Sequence, residues 1–402
     1  MEEKTKRYYK NIRLKGEHGY QICKKCICDT SVPGIKFNDL GICNFCDLHI
    51  QMEKEYPNDK SVCSALQKIT NSIKKRRSKN QYDCICGISG GRDSIYTLYY
   101  LKKVLLLNPL AVHFNDGFGN PTAGQNMISA CDILKVKLIT ITSDWRESKE
   151  IRIAFLEAST PDLGTATDIG IATALFGVAV KEGIKHVIIG QSFRTEGIAP
   201  LIWNYLDGKY VNDVMQKHSK RKFREWKPTD PGFNLGLKEM FYYTVIKRIK
   251  TIPILYYIDY KRNEVDEFLK NELNWVNTGA HYFDDLYQSL MTYVLRSKFN
   301  IDRRVYNYSA LIRSKQLNRE EALEKVKSKY SIEDPEVIRL CLKRIGITED
   351  QFENILRKEQ KSFLDYKNNY SNIKLLKIFI YFFSKIDLLP SSTYNKYFNC
   401  GV

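Results

Sequence analysis

The chain has 402 residues, enough for two or three domains and a well-buried core. A hydrophobic share of 43% and a charged share of 27% describe an ordinary globular protein, and 12% aromatic residues, with 26 tyrosines, weigh against global disorder. The formal charge of +17 fits a polyanionic partner such as a nucleotide, sugar phosphate, nucleic acid or anionic membrane face, although AT-rich coding composition gives the same bias.

The first twenty residues, MEEKTKRYYKNIRLKGEHGY, lack the apolar core of a secretory signal. No run of about 18 apolar residues follows anywhere, so no transmembrane helix is expected. The expected location is cytoplasmic, and eleven cysteines in such a chain point to metal or thiol chemistry rather than disulfides.

Four of those cysteines form two CxxC pairs, Cys23/Cys26 and Cys43/Cys46, with sixteen residues between them. Each pair makes a tight knuckle offering two thiolates, and two knuckles close a tetrahedral site with no open position. A structural zinc ribbon over residues 1–60 is therefore expected, with an iron–sulfur cluster or redox pair as the alternative. Cys28 and His49 lie nearby and are read as bystanders, because four cysteines already satisfy the ion. The basic run Lys74-Lys75-Arg76-Arg77-Ser78-Lys79 has no interleaved aromatics, so it reads as a solvated helix end rather than a nucleic-acid contact.

The most informative stretch comes next, Tyr82 to Ser94, YDCICGISGGRDS. A β-favouring run stops at Ser89-Gly90-Gly91, and a helical pattern starts after Asp93-Ser94. Paired glycines let backbone amides turn inward, and the following helix contributes its positive end, which suits a phosphate. The spacing is neither that of the Walker loop nor of the dinucleotide fingerprint. It matches the SGGxDS signature of PP-loop ATP pyrophosphatases, with a bland glycine turn as the alternative.

From here strand and helix signals alternate, as in a parallel sheet with crossover helices. Strands are expected at Asp83–Ile88, Leu110–Phe114, Lys137–Thr142 and His186–Ile189, and helices at Ile95–Leu106, Ala123–Leu134 and Thr167–Glu182. Ligands of open parallel sheets sit beyond the carboxyl ends of the strands. That rule sets Ser89, Gly90, Gly91, Arg92, Asp93 and Ser94 on one rim with Thr142 to Asp144, with His113, Asn115 and Asp116, and with Gly190 and Gln191. Asp93 is the expected magnesium carboxylate, Ser94 a phosphate donor and Arg92 a charge offset, while Asn115 and Asp116 would meet adenosine or metal. His113 is as well explained as a strand-end histidine, and Asp168 as a helix cap.

Beyond Asn263 the sequence turns mainly helical, with helices expected at Glu264–Glu272, Phe283–Arg296, Arg319–Lys327, Pro335–Arg344 and Asp350–Phe363. The basic residues Arg296, Lys298, Arg303 and Arg304 flank a helix end on a basic chain or meet an anionic ligand, and His281 is a candidate general base. The apolar segment Leu375–Leu389 reads as a final helix packed on the core, with a membrane-surface or partner contact as the alternative.

With ribbon and PP-loop placed, the chain resembles the N-acetyl sugar amidotransferase family of bacterial surface-polysaccharide synthesis. The matching text is CKKCICDTSVPGIKFNDLGICNFC, YDCICGISGGRDSIYTLYYLKKVLLLNPLAVHFNDG, GIATALFGVAVKEGIKHVIIGQ, HYFDDLYQSLMTYVLRSKFNIDRR and SALIRSKQLNREEALEKV, in family order over most of residues 20–330. Phe193 to Lys238 and the tail beyond Gln360 depart from the pattern. The resemblance implies an α/β fold of the PP-loop (adenine nucleotide α-hydrolase-like) type, a parallel sheet with helices on both faces, an N-terminal zinc ribbon and a helical C-terminal region. The expected division is 1–60, 61–262 and 263–402. It also implies ATP and Mg2+ as cofactors beside Zn2+, and adenylation of an N-acetyl carbonyl that ammonia then converts to an acetamidino group. Arg296, Lys298 and Arg303 would assist Asp93 and Ser94 in that step. No glutaminase motif surrounds Cys63, Cys131, Cys341 or Cys400, so ammonia would come from separate glutaminase and cyclase-like partner chains. A tRNA-thiolating PP-loop enzyme and an idle nucleotide-binding scaffold are the rival readings; the absence of a CxxC after Cys46 and the intact Ser89, Asp93 and Ser94 disfavour them.

Overall fold

The computed structural model describes residues 19–57, 60–75, 82–224, 226–279, 283–386 and 388–400. His281, proposed above as a base, and most of the basic run after Lys75 lie outside the described residues.

Five parallel strands form one sheet: β1 (Cys84–Gly87), β2 (Pro109–Asn115), β3 (Leu138–Thr142), β4 (His186–Ile189) and β5 (Lys250–Pro253), in the order β3-β2-β1-β4-β5. Ile85 pairs with Leu110 on one side and Val187 on the other, so β1 is central and its carboxyl end lies where the strand order reverses. Four strands were expected. The fifth escaped because its sequence, KTIP, offers no apolar run and ends in Pro253, which argues against a strand.

Alternation along β1 feeds two cores. Cys84 and Cys86 pack with Ile95, Leu98, Met127 and Leu269, from α3 (Arg92–Tyr99), α4 (Pro121–Leu134) and α9 (Arg262–Leu273). Ile85 points the other way, to Leu175, Phe176 and Ala179 of α6 (Thr165–Lys181). Helices therefore cover both faces of the sheet. Helix α6 is apolar nearly all round, as a helix buried on several sides must be. Helix α5 (Trp145–Ala158) was missed in a charged stretch, yet Asp144 caps it by accepting from the Arg146 amide at 2.8 Å.

Two helices precede the sheet, α1 (Asn44–Glu55) and α2 (Lys60–Lys75), and α7 (Gly208–His218) and α8 (Leu237–Phe241) lie between β4 and β5. After α9 come α10 (Tyr287–Phe299), α11 (Arg303–Arg313), α12 (Arg319–Lys327), α13 (Pro335–Ile345) and α14 (Glu349–Arg357). The apolar faces of α10, α13 and α14 join α5 and α7 in a core holding Phe155, Tyr210, Leu290 and Ile345, whereas Tyr306 of α11 packs with the paired cysteines.

The tail does not form the expected core helix. It breaks into α15 (Tyr370–Leu375), α16 (Lys377–Lys385) and α17 (Ser391–Phe398), and Leu375 and Ile378 are 84% and 80% exposed. Only α17 is well tucked in: Tyr56 donates to Ser391 Oγ at 2.8 Å and Ser392 to Gln191 Oε1 at 3.3 Å. Among the described residues no helix is long and apolar enough to cross a membrane.

Candidate functional site

Strand β1 delivers the chain into Ser89-Gly90-Gly91, and α3 leaves with Gly91 as its N-cap. Gly90 has φ +85°, and a Cβ there would sit 2.0 Å from the Ala123 carbonyl oxygen, so only glycine fits. Its own carbonyl accepts from Trp275 Nε1 at 3.0 Å and Asn126 Nδ2 at 3.2 Å, which fixes the peptide. Ser94 Oγ accepts from the Ser89 amide at 3.1 Å and donates to the Gly91 carbonyl at 3.0 Å. The first-turn amides of α3 have no intrahelical acceptors, leaving a rigid donor-lined turn.

Carboxylates face this turn. Tyr260, just before α9, donates to Asp93. Burial raises the Asp93 pKa, against Arg92 and Tyr260, which favour its ionised form. Glu196, in the loop after β4, lies against Asp93, and burial and that carboxylate push its pKa well up. Asp284 interacts with Ser89, and a Cβ on Gly91 would lie 3.3 Å from its Oδ2; burial pushes it up to about 6. Gly190 permits the β4 end to approach, since a Cβ there would be 2.9 Å from the Asp93 carbonyl.

Cations stand beside the acids. Arg303, at the start of α11, favours the ionised form of Glu196 and Asp168, and its Nη1 donates to Gln288 Oε1 at 2.7 Å. Lys396 on α17 lies among Asp168, Asp162 and Cys400; burial lowers its pKa and the two aspartates oppose that. Asp168 accepts from Asn204 at 3.0 Å; it sits in the first turn of α6, whose N-cap is Gly164, so it is not the cap expected from sequence.

Several expected residues turn elsewhere. Arg92 is taken up elsewhere: Asp266 of α9 chelates it, with Nη2 at 2.9 Å, and it lies over Trp275. Asp116 is bound by Arg152 and by Thr167 at 2.7 Å, a locked structural carboxylate rather than an open metal ligand. Asn115 accepts from the Gly117 amide at 3.0 Å, and His113 Nδ1 meets the Ile88 carbonyl at 3.1 Å, with burial lowering its pKa. Arg296 grips Glu333, with Nε at 2.8 Å, and lines a separate cavity of about 520 Å³ beside Tyr20, Asp29 and Tyr330. Lys298 donates to the Ile355 carbonyl. Neither is brought to Asp93, because each is spent on joining α10 to the segments after it.

Glu196, Asp284, Tyr260 and Lys396 were not singled out from sequence. The strand-end rule could have found Glu196, seven residues past β4; the Asp284-Asp285 pair was an available signal, while Lys396 carried none.

The four paired cysteines converge. Their sulfurs all lie within 4.8 Å of one another and every one of these residues is buried. Cys23–Cys46, Cys26–Cys43 and Cys43–Cys46 are 3.8, 3.7 and 3.6 Å apart. A tetrahedron of about 2.3 Å metal–sulfur bonds has edges of roughly 3.8 Å, so the cluster fits a metal ion. The amides of Lys25, Cys26 and Cys43 donate to Cys23 Sγ at 3.3–3.5 Å, as in a thiolate knuckle. Cys28 and His49 stand outside the group.

Residues 275–379 match the family model described as LPS biosynthesis protein WbpG-like, C-terminal domain. An uncharacterized protein of Methanocaldococcus jannaschii is 28% identical over 170 residues, 42% of this chain, which spans 58% of that protein's length. Among the solved structures that align are an NH3-dependent NAD synthetase from Campylobacter jejuni (13% identity, 79% of this chain and 98% of that one, TM-score 0.31) and the U34-tRNA thiolase NcsA from Methanococcus maripaludis (15%, 71% and 90%, 0.31). The matched segment 275–379, with its described lipopolysaccharide-biosynthesis context, and the glycine turn at the end of a central parallel strand support the resemblance that the sequence carries to a surface-polysaccharide enzyme family.

Proposed function

We propose that the chain is an ATP-dependent, AMP-forming amidotransferase acting on an N-acetylated sugar precursor of a bacterial surface glycan. The observation that carries this reading is the turn Ser89–Ser94 with Asp93, Glu196 and Asp284 around it, in a chain with a WbpG-like domain. Residues 1–60 would be the ribbon, 61–262 the ATP domain and 263–402 the helical region completing the site.

An amide carbonyl is a weak electrophile and its oxygen a poor leaving group. Attack of that oxygen on the α-phosphorus of ATP, expelling pyrophosphate, corrects both. Ammonia then adds to the adenylated carbon, a proton is lost, and AMP departs with the former amide oxygen, leaving an acetamidino group. The turn's amides and Ser94 would hold the phosphates, and Arg303 would stabilise charge on the α-phosphate. Asp93, with Asp284 and Glu196, would hold Mg2+, which neutralises the departing pyrophosphate. Zn2+ in the cysteine cluster would be structural. Ammonia would come from separate glutaminase and cyclase-like chains, because the described cysteines outside the cluster are buried, and burial raises the pKa of Cys84, Cys86, Cys131, Cys341 and Cys400. The same burial disfavours sulfur transfer to tRNA.

The test supplies ATP, magnesium, an ammonium salt and candidate N-acetyl sugars, free or nucleotide-linked. AMP, pyrophosphate and a product lighter by about one dalton, as NH replaces oxygen, are expected. Formation of ADP and phosphate would sink the adenylation chemistry.

A further inference from the structure

The tail carries an apolar face that the fold leaves in water. Leu375, Ile378, Phe379, Phe382 and Ile386 recur at helical spacing and are 84, 80, 61, 57 and 36% exposed. The break between α15 and α16 hardly interrupts this stripe, because the Ile380 amide still bonds to the Leu376 carbonyl at 3.0 Å. The opposite side is tied to the body: Ile373 and Ser384 are buried, Tyr381 packs on Tyr394 of α17, and Lys385 pairs with Glu55 at 2.7 Å. The stripe is thus presented outward by anchored helices. A contiguous apolar face of this kind marks an interaction surface.

Its charge says what covers it. Between Asp365 and Asp387 the sequence has Lys367, Lys374, Lys377 and Lys385 and no carboxylate, in a chain whose formal charge is +17. Lys374 and Lys377 are exposed on the same two helices, with their ammonium groups over the rings of Tyr370 and Phe398, while Lys385 is held by Glu55; the outward apolar stripe is thus carried by a segment whose only charged side chains are lysines. The centres of protein interfaces are depleted in lysine, whereas an apolar stripe edged by lysines is the pattern of a helix lying in a lipid headgroup layer. The lysine stems can lie along acyl chains while the heads stay among phosphates. At nine residues α16 is far too short to span a bilayer, so it would lie in the surface plane.

We propose that α15 and α16 form a peripheral docking face for an anionic phospholipid bilayer. Leu375, Ile378, Phe379 and Phe382 enter the headgroup–acyl boundary, and Lys374 and Lys377 contact lipid phosphate. The proposal is independent of the chemistry assigned to the PP-loop, since vesicle binding is read without turnover.

The experiment is flotation of the purified full chain with phosphatidylglycerol-rich vesicles, and with vesicles of phosphatidylcholine alone. Salt-sensitive flotation with the anionic vesicles only is expected. The double variant Ile378→Ser/Phe379→Ser should lose flotation with an unchanged melting temperature, because both side chains are already solvated. Lys374→Glu and Lys377→Glu should each weaken binding roughly fivefold or more. Lys343→Glu, an equal charge change on the exposed side of α13, should leave it unchanged. Failure of the wild-type chain to float with anionic vesicles overturns the proposal, as does undiminished flotation of the double variant. It is equally overturned if the wild type is a dimer that the double variant dissolves and neither floats, for the face then binds a second copy.

Discussion

The guanidinium of Arg313 donates to two ribbon sulfurs, Cys28 Sγ at 3.1 Å and Cys26 Sγ at 3.4 Å, from a helix 285 residues beyond Cys28. Four thiolates around one dication carry net negative charge, and a buried arginine offsets it where water cannot. Arg319 adds donors to the Cys26 and Cys23 carbonyls, both at 3.1 Å. The ribbon is therefore riveted to α11 and α12. Arg313→Met should lower stability by about 3 kcal/mol and speed metal loss to a chelator, measured by melting and by metal content per chain. Cys28→Ser should keep its full metal content. A loss as complete as in Cys26→Ser would make Cys28 a ligand.

Gly90 offers a sharper test of the phosphate turn. Its φ of +85° and the 2.0 Å approach of the Ala123 carbonyl leave no room for a methyl group. Gly90→Ala must shift α4 or unfold the turn, at a cost of roughly 3 kcal/mol or more. ATP binding by calorimetry should vanish, while the metal content of the distant cysteine cluster stays intact. Normal nucleotide affinity in this variant would remove the turn from ATP binding.

How much of this was legible beforehand depends on how local each signal is. The sharp turn at Ser89–Ser94 was readable because a strand that passes into a helix through a left-handed residue and a close backbone approach dictates its own residue types within six positions. Cys23, Cys26, Cys43 and Cys46 were readable for the same reason, two short knuckles with fixed spacing. Arg92 was misread because its partner, Asp266, lies 174 residues away on α9, and nothing near Arg92 announces that ion pair. Asp116 looked like an open ligand until Arg152 and Thr167, from two other helices, claimed it. Arg296 and Lys298 were assigned by charge alone, and charge does not reveal that Glu333 and the Ile355 carbonyl hold them. The tail was misjudged because apolar periodicity says that a face is buried by something, not by what.

Lys396 extends the candidate site beyond the matched segment 275–379. It reaches Asp168 and Asp162 from α17, which Ser391, Ser392 and Asn395 anchor to Tyr56, Gln191 and Met52. A cation held beside Asp168, itself bonded to Asn204 at 3.0 Å, suits the orientation of a polar acceptor. If the proposed N-acetyl sugar is the substrate, Lys396→Met should reduce kcat/KM for it by roughly 10- to 100-fold, with the KM for ATP unchanged. Lys396→Arg should recover part of the loss. An equal rise in both KM values would indicate a structural role instead.

Asp162 gives the clearest pH signature. It is 1% exposed, and burial pushes its carboxyl up to about 7, against the Tyr205 amide, the Tyr210 hydroxyl and Lys396. Its carboxyl oxygens accept from the Tyr205 amide and, at 2.8 Å, from the Tyr210 hydroxyl, two bonds too few to offset the burial of a charge. The unfolded chain releases this proton near the ordinary 3.8, whereas the folded chain keeps it to about pH 7. Between those values the folded state binds more protons, so Asp162 makes stability fall as pH rises and level off above 7. The loss across the window is on the order of 4 kcal/mol. Asp162→Asn mimics the neutral acid, and its carbonyl oxygen can still accept from the Tyr205 amide. The variant should therefore show a flatter dependence of melting temperature on pH between 4 and 7 and exceed the wild type above pH 7. Equal slopes in the two proteins would mean that Asp162 is ionised in the folded state throughout.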